Sequence, residues 1–233
     1  MAILEHQAKV IVNSAATASD LNTFAEAIGH AAPATIVAPL GIETAFHACP
    51  PSTGAPEPPA RPYFVCVGTL EPRKNLTFLL TLWRRLAETL GEDTPFLVLA
   101  GRRGWETEAI LDHLDRSPPI RRFVHEVSGL DDGALSMLLS GARALLSASV
   151  IEGFDLPVAE ALAMATPVIA SDIAAHRELA PEAQLLDPLD GPAWFATILA
   201  AAKARPAARH RPAPTWAAHF ATVEAALGLA RSD

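Results

Sequence analysis

The stretch "SVIEGFDLPVAEALAMATPVIAS", residues 149–171, carries a turn, a helix start and a strand in succession. Gly153 allows a close backbone approach, and Pro157 suits the first position of a helix, where no N–H partner is needed and φ is already helical. "TPVIAS" is then a short apolar run ended by polar residues, which reads as a buried strand. Two carboxylates, Glu152 and Glu160, stand eight positions apart around this turn, in a segment otherwise apolar enough for a core.

Outward from this stretch the same rhythm repeats. "YFVCVG", "PFLVLAG", "RRFVHEV", "ARALLSAS" and "AQLLDP" are further short apolar runs, separated by helix-compatible stretches such as "NLTFLLTLWRRLAETL" and "DDGALSMLLSGA". Alternating strands and helices predict right-handed βαβ units and a Rossmann-like, doubly wound parallel sheet covered on both faces. Residues 63–205 are expected to form this domain. Before it, "AKVIVN", an amphipathic run capped by Ser14, and "ATIVAPLGI" predict an amino-terminal βαβ piece within residues 1–47. Residues 48–62, "ACPPSTGAPEPPARP", read as a proline-rich linker, and residues 206–233 as a terminal helical segment.

Composition narrows the partners. Of 233 residues half are hydrophobic, enough for a sizeable core, and the net charge is −8 without a dense Lys/Arg run. Nucleic acid and an acidic membrane surface are therefore not expected partners. Glu5, His6 and Lys9 interrupt any signal-like start, no run approaches the length of a spanning helix, and Cys49 and Cys66 have neither metal-site nor disulfide-framework spacing. These features predict a soluble chain in a reducing, cytoplasmic setting.

Ligands of open α/β sheets bind beyond the carboxyl ends of the strands, so "GTLEPRKN", "AGRRGWE" and "SVIEGFDLP" belong on a functional rim. Arg73 and Lys74 precede Asn75, a favourable N-cap, and place two cations where a helix start attracts an anion. Taken alone, the pair reads more readily as loop solvation. The helix opening at "EGFDLP" offers free amides near residues 154–158, a second place for phosphate oxygens. Glu152 and Glu160 suit sugar hydroxyls, at roughly 1.5–3 kcal/mol for each charge-assisted bond. As simple decoration of a helix start they would contribute only about 0.3–1 kcal/mol each. Phosphate-seeking loops and hydroxyl-seeking carboxylates on one rim describe a nucleotide-sugar pocket. No Asp-x-Asp pair occurs to hold Mg²⁺, so no metal and no other cofactor is expected.

"YFVCVGTLEPRKN", "SVIEGFDLPVAEALAMATPVIASD" and "HRELA" resemble the carboxyl-terminal domain of the retaining GT-B glycosyltransferases of glycosyltransferase family 4, the group with the Glu-x7-Glu motif. The likeness runs over about residues 60 to 205; "AKVIVNSAATASDL" and "TIVAPLGIE" resemble the end of that family's amino-terminal domain, and "TWAAHF" the segment that closes the chain. The resemblance implies that Lys74, with Arg73, binds the donor diphosphate and that Glu152 contacts the transferred sugar. It implies further that Gly153, Phe154, Asp155 and Leu156 meet the sugar and distal phosphate, and that Glu160 holds the ribose hydroxyls. Gly68, Thr69, Gly101 and Arg102 would line the donor site, while Thr166 and Glu178 match recurrent positions of structural character. The implied reaction is metal-independent transfer, with retention, from a GDP- or UDP-linked sugar to a glycan or lipid-linked acceptor, in the cytoplasm or peripheral to the inner membrane.

Three departures stand out. Thr69 replaces a frequent Arg, which suits a subgroup resembling mannosyl- and other lipopolysaccharide-type transferases. Asp155 replaces the Gly of "EGFGLP", adding a carboxylate near the sugar, and Ala165 replaces the Gly before Thr166. Only about the last 45 residues of the family's amino-terminal acceptor domain have counterparts here, so the chain is expected to be incomplete for catalysis. None of the eight histidines takes the family's catalytic role; they read as surface or packing residues. A non-catalytic nucleotide-sugar-binding module, a homo-oligomer or partner subunit supplying the other domain, and more remotely an epimerase, are the alternatives.

Overall fold

The computed structural model describes residue 6 and residues 8–46, 61–207 and 210–229. His47, Cys49 and nearly all of the expected linker lie outside the described residues.

Strands β3 (Tyr63–Val67), β4 (Phe96–Ala100), β5 (Val124–Val127), β6 (Leu145–Ser147), β7 (Val168–Ser171) and β8 (Gln184–Leu186) form one parallel sheet in the order β5-β4-β3-β6-β7-β8. All six were expected. The first strand of the unit lies in the middle, so the chain winds outward in one direction to β5, then returns across β3 and winds in the other. Connections leave β3 and β6 on opposite sides at this reversal, which opens a crevice at the carboxyl ends of those two neighbours.

Both faces of the sheet are apolar because side chains alternate along a strand and both faces are covered. Phe64, Cys66, Leu97, Leu99, Leu146 and Ile169 pack on one side under helix α2 (Leu76–Leu90), the adjoining α3 (Glu108–Arg116) and α4 (Pro118–Phe123), and α8 (Gly191–Lys203). The long helix is anchored by Trp83, fully buried edge-on against Phe64 at 5.7 Å, with its indole N–H donating to Pro95 O at 2.9 Å. On the other face Tyr63, Val65, Val98, Leu145 and Val168 meet α5 (Asp132–Gly141) and α6 (Leu156–Ala163). Ile42 and Phe46 of the amino-terminal segment join this second cluster.

The amino-terminal piece is the expected βαβ unit: β1 (Val10–Val12) pairs in parallel with β2 (Thr35–Val37) across α1 (Ala15–Ala27). Ser14 caps α1 as read from the sequence, accepting from Thr17 N at 3.0 Å. Glu178, on α7 (Ala174–Leu179), accepts from Ala15 N and Ala16 N at 2.9 and 3.0 Å. A carboxylate of one unit thus satisfies the first amides of the other unit's helix, a favourable placement for negative charge. The last helix, α9 (Trp216–Leu227), returns to this unit, with His219 Nδ1 3.1 Å from Ala38 O.

One capping expectation is corrected. Asn75 adopts a left-handed conformation (φ 55°, ψ 34°) and makes no side-chain cap; its Nδ2 donates instead to Pro188 O at 3.2 Å. A single 3₁₀ turn, Pro72–Lys74, ends at Asn75 before α2 begins, so the two cations belong to this turn and not to the helix.

Ala165 sits at φ 52°, where a Cβ crowds the backbone and glycine does not. Ala165→Gly is therefore expected to stabilise the protein by about 0.5–1 kcal/mol, the left-handed strain outweighing the added chain entropy of glycine. Chemical denaturation of the two proteins checks this; an unchanged or lower midpoint would contradict it.

Candidate functional site

The loops leaving β3 and β6 meet over the crevice and line a cleft of about 550 Å³. Gly68, Thr69, Arg73, Lys74, Glu152, Gly153, Phe154, Asp155 and Leu156, all expected from the sequence, form its walls. Asn13 and Leu40 from the amino-terminal unit close one side and were not expected. A cleft of about 590 Å³ bordered by Thr166, Pro167, Arg205 and Arg211 contains none of the expected donor residues. Thr166 itself is buried and donates to Leu139 O at 3.1 Å, a structural bond.

Charge organises the floor. Glu152 Oε1 lies 2.7 Å from Lys74 Nζ and accepts from Ser149 Oγ at 2.9 Å, while Oε2 accepts from Arg73 NH1 at 2.5 Å. Arg73 Nε pairs with Glu71. Three donors therefore hold Glu152, and its carboxylate is 7% exposed. Lys74 is almost as buried, yet Arg73 keeps 41% of its side chain in solvent at the mouth. Burial disfavours the charge on Lys74, but Asp155 and Glu152 outweigh it and hold its pKa above the ordinary lysine value. Arg73 is held above its ordinary value too, against burial, by Glu152 and Glu71.

Asp155 departs from expectation. Its backbone takes the left-handed conformation (φ 70°) that the glycine of "EGFGLP" would adopt freely, and this turns its carboxylate into the protein, 1% exposed, instead of toward a sugar. Oδ2 accepts from Ser147 Oγ at 2.5 Å and lies 2.9 Å from His176 Nε2; Oδ1 is 3.6 Å from Lys74 Nζ. Burial would raise the pKa of this acid, but the His176 bond, the Lys74 charge and the Ser147 bond bring it below the ordinary range. His176 and Ser147 escaped sequence reasoning because their neighbours in space are remote in sequence. The juxtaposition of "HRELA" with "EGFD" exists only across adjacent strands.

The backbone completes the cleft. Among the described residues the amides of Gly153, Phe154 and Asp155 donate to no protein group, at the start of α6. Gly153 O accepts from Ser14 Oγ at 2.5 Å, and a Cβ on Gly153 would stand 3.3 Å from Asn13 Nδ2 and Thr17 Oγ1. The amino-terminal unit thus clamps the turn that presents those amides.

Three expected residues do not line this cleft. Gly101 is a packing position: a Cβ there would stand 1.9 Å from Gly68 O, so its absence lets the turn after β4 press against the first turn. Leu70 N donates to Arg102 O at 2.8 Å, which uses the Arg102 backbone, and the residue is exposed. Glu160 lies one turn inside α6, half-buried, and its carboxyl has no hydrogen-bond or ion-pair partner among the described residues. Burial, followed by the charges of Asp132, Asp155 and Glu43, pushes its pKa up to about 7. No group of three or more His, Cys, Asp or Glu side chains among the described residues is arranged to hold a metal ion.

A carboxyl whose folded pKa exceeds its unfolded value costs stability as pH rises between the two. Glu160→Gln is accordingly expected to match the wild type near pH 4 and to become the more stable protein as pH rises through 4.5 to 7. Thermal melting across this range tests the assignment; parallel melting curves would contradict it.

Residues 61–203 match the family described as Glycosyl transferases group 1. The chain is 31% identical over 195 residues to the serotype-specific mannosyltransferase WbdA of Escherichia coli, covering 77% of this chain and 23% of that protein. It is 33% identical over 138 residues to the O-antigen chain mannosyltransferase B of Escherichia coli, covering 59% of this chain and 36% of the relative. The pneumococcal O-GlcNAc transferase GtfA, solved in complex with UDP and GlcNAc, superposes with a TM-score of 0.63 at 16% identity, over 95% of this chain and 42% of that one. This chain therefore spans about a quarter to a third of the curated relatives and less than half of that solved chain. Its architecture is that of the GT-B glycosyltransferases, and the chain belongs to the group 1 glycosyl transferases.

Proposed function

We propose that the cleft between the β3 and β6 loops binds the diphosphate of a nucleotide-sugar donor, and that the protein acts in hexosyl transfer with retention, as a Glu-x7-Glu enzyme of family 4. The observation that carries this reading is the convergence of Arg73, Lys74 and the amides of Gly153, Phe154 and Asp155 on one crevice. Two side-chain cations and a helix start there face an anion-sized space.

In this mechanism the bond between the anomeric carbon and the diphosphate breaks while an acceptor hydroxyl attacks from the same face and passes its proton to the departing phosphate oxygen. Negative charge grows on the departing phosphate oxygen, and Arg73, Lys74 and the amides stabilise it without reorganising, which is where preorganised dipoles lower a barrier. Charge neutralisation falls to these groups, so the reaction proceeds without a metal. Glu152 has one lone pair left on Oε2 after its three bonds, enough to meet a sugar hydroxyl while its other contacts fix the cations. Glu160, a half-buried carboxyl without a side-chain donor, stands one turn into α6 beyond the wall of the diphosphate cleft, where the nucleoside end of the donor would bring its ribose hydroxyls.

The mannosyltransferase names of the relatives favour mannose as the transferred sugar, from a GDP- or UDP-linked donor to a glycan or lipid-linked acceptor. Among the described residues no helix is long and apolar enough to cross a membrane, and a lipid-linked acceptor would bring the protein to the cytoplasmic membrane surface.

Titration with GDP, UDP and ADP and their sugar conjugates tests the donor site. One base series is expected to bind saturably. Arg73→Ala removes a half-exposed cation and is expected to weaken binding about tenfold while leaving the melting temperature nearly unchanged. Lys74→Ala should weaken binding further and also destabilise the fold, by about 3–5 kcal/mol, since Glu152 and Asp155 lose their buried counter-ion. Absence of binding by the wild type, or binding indifferent to Arg73, would overturn the assignment.

A further inference from the structure

His176 is fully buried, and both of its ring nitrogens face oxygen. Nδ1 lies 2.7 Å from Ser171 O, a carbonyl that can only accept, so Nδ1 carries a hydrogen. Nε2 lies 2.9 Å from Asp155 Oδ2, which already receives the Ser147 hydroxyl. A bare Nε2 lone pair would oppose a carboxylate lone pair there, so the geometry demands a second ring hydrogen. The charges then alternate through the site: Glu71, Arg73, Glu152, Lys74, Asp155, His176. Three are negative and three positive.

From this arrangement we infer that His176 is a positioning residue for the donor diphosphate: as an imidazolium it neutralises Asp155, which can then hold Lys74 in the cleft without cancelling the charge the diphosphate needs. The inference rests on the donor-binding reading above. Asp155 is well placed for the task because one oxygen serves His176 and Ser147 and the other is left toward Lys74. Without the imidazolium, Glu152 and Asp155 would place two carboxylates on one lysine, and the six-group cluster would carry a net negative charge toward an anionic ligand. The remaining charges near His176 are engaged elsewhere. Arg177 pairs with Asp172, and Glu178 holds the amides of Ala15 and Ala16. Cys66, near Lys74, is an un-ionised thiol, its pKa pushed up to about 12 by burial.

The test is calorimetric titration of GDP and UDP into the wild type, His176→Gln, Asp155→Asn and the double variant, with thermal melting to verify folding. Asparagine tolerates the left-handed backbone at 155. His176→Gln is expected to weaken binding of the favoured nucleotide at least about tenfold, as loss of one charge near a dianion in a partly buried site implies. Asp155→Asn in the same chain should recover most of that loss, because it removes the charge left unbalanced. ¹⁵N NMR of the wild type, under the conditions of the titration, should show hydrogen on both ring nitrogens of His176, as the oxygens facing them require; a ring with one bare nitrogen would overturn the inference. If the wild type binds and His176→Gln binds equally well, or if the double variant is as weak as the single one, the inference fails while the donor site stands. If the wild type binds neither nucleotide, the donor reading fails and this inference with it.

Discussion

The interaction on which the rest of the site depends is the pairing of Glu152 with Lys74 and Arg73 across the crevice between β3 and β6. It joins two loops separated by more than seventy residues of chain, and its buried geometry leaves little freedom to either. A buried ion pair is weak evidence of stability, because desolvation offsets the Coulomb attraction. Its value here is specificity of position. Two cations that would otherwise sample many rotamers are held at fixed points in the cleft, and binding an anion then costs less ordering entropy.

The surroundings are arranged to support this pairing. Ser149 donates to the same carboxylate, the turn Pro72–Lys74 delivers the cations from β3, and the left-handed turn at Asp155 places a second carboxylate beneath Lys74. The close fit of Gly101 against Gly68 brings the second loop against the first. The amino-terminal unit takes part as well, since Ser14 bonds the Gly153 carbonyl and Glu178 bonds the first amides of α1. The βαβ piece is therefore coupled to the very turn whose amides lack a protein acceptor, so a shift of that unit would be felt in the cleft.

Strained and polar features concentrate in the same place. Of the four non-glycine residues with positive φ among the described residues, Asn75 follows Lys74 directly and Asp155 lies 3.6 Å from its Nζ. Such conformations persist where surrounding contacts over-determine them, and they cluster at sites where orientation matters. Ala165 has the same strain without comparable polar contacts, which is why a glycine is expected to improve it.

The eight strands and the capped α1 could be read from sequence because they depend on local patterning: apolar runs of strand length, helical spacing between them, and Ser14 before an amphipathic run. That nine of the expected residues line one cleft was legible for a related reason, since a parallel sheet sends the βα turns to one rim and the turns carry recognisable residue types. Tertiary structure alone decided the rest. Strand order brought β3 beside β6 and so set Lys74 against Glu152, which no local pattern encodes. The same order placed Ser147 and His176 around Asp155 and turned inward a carboxylate that sequence had directed at a sugar. It also removed Gly101, Arg102 and Glu160 from the wall of the cleft, because spacing along a chain tells which residues reach the rim but not which way each side chain packs when neighbouring turns, helices and charges compete for the same space.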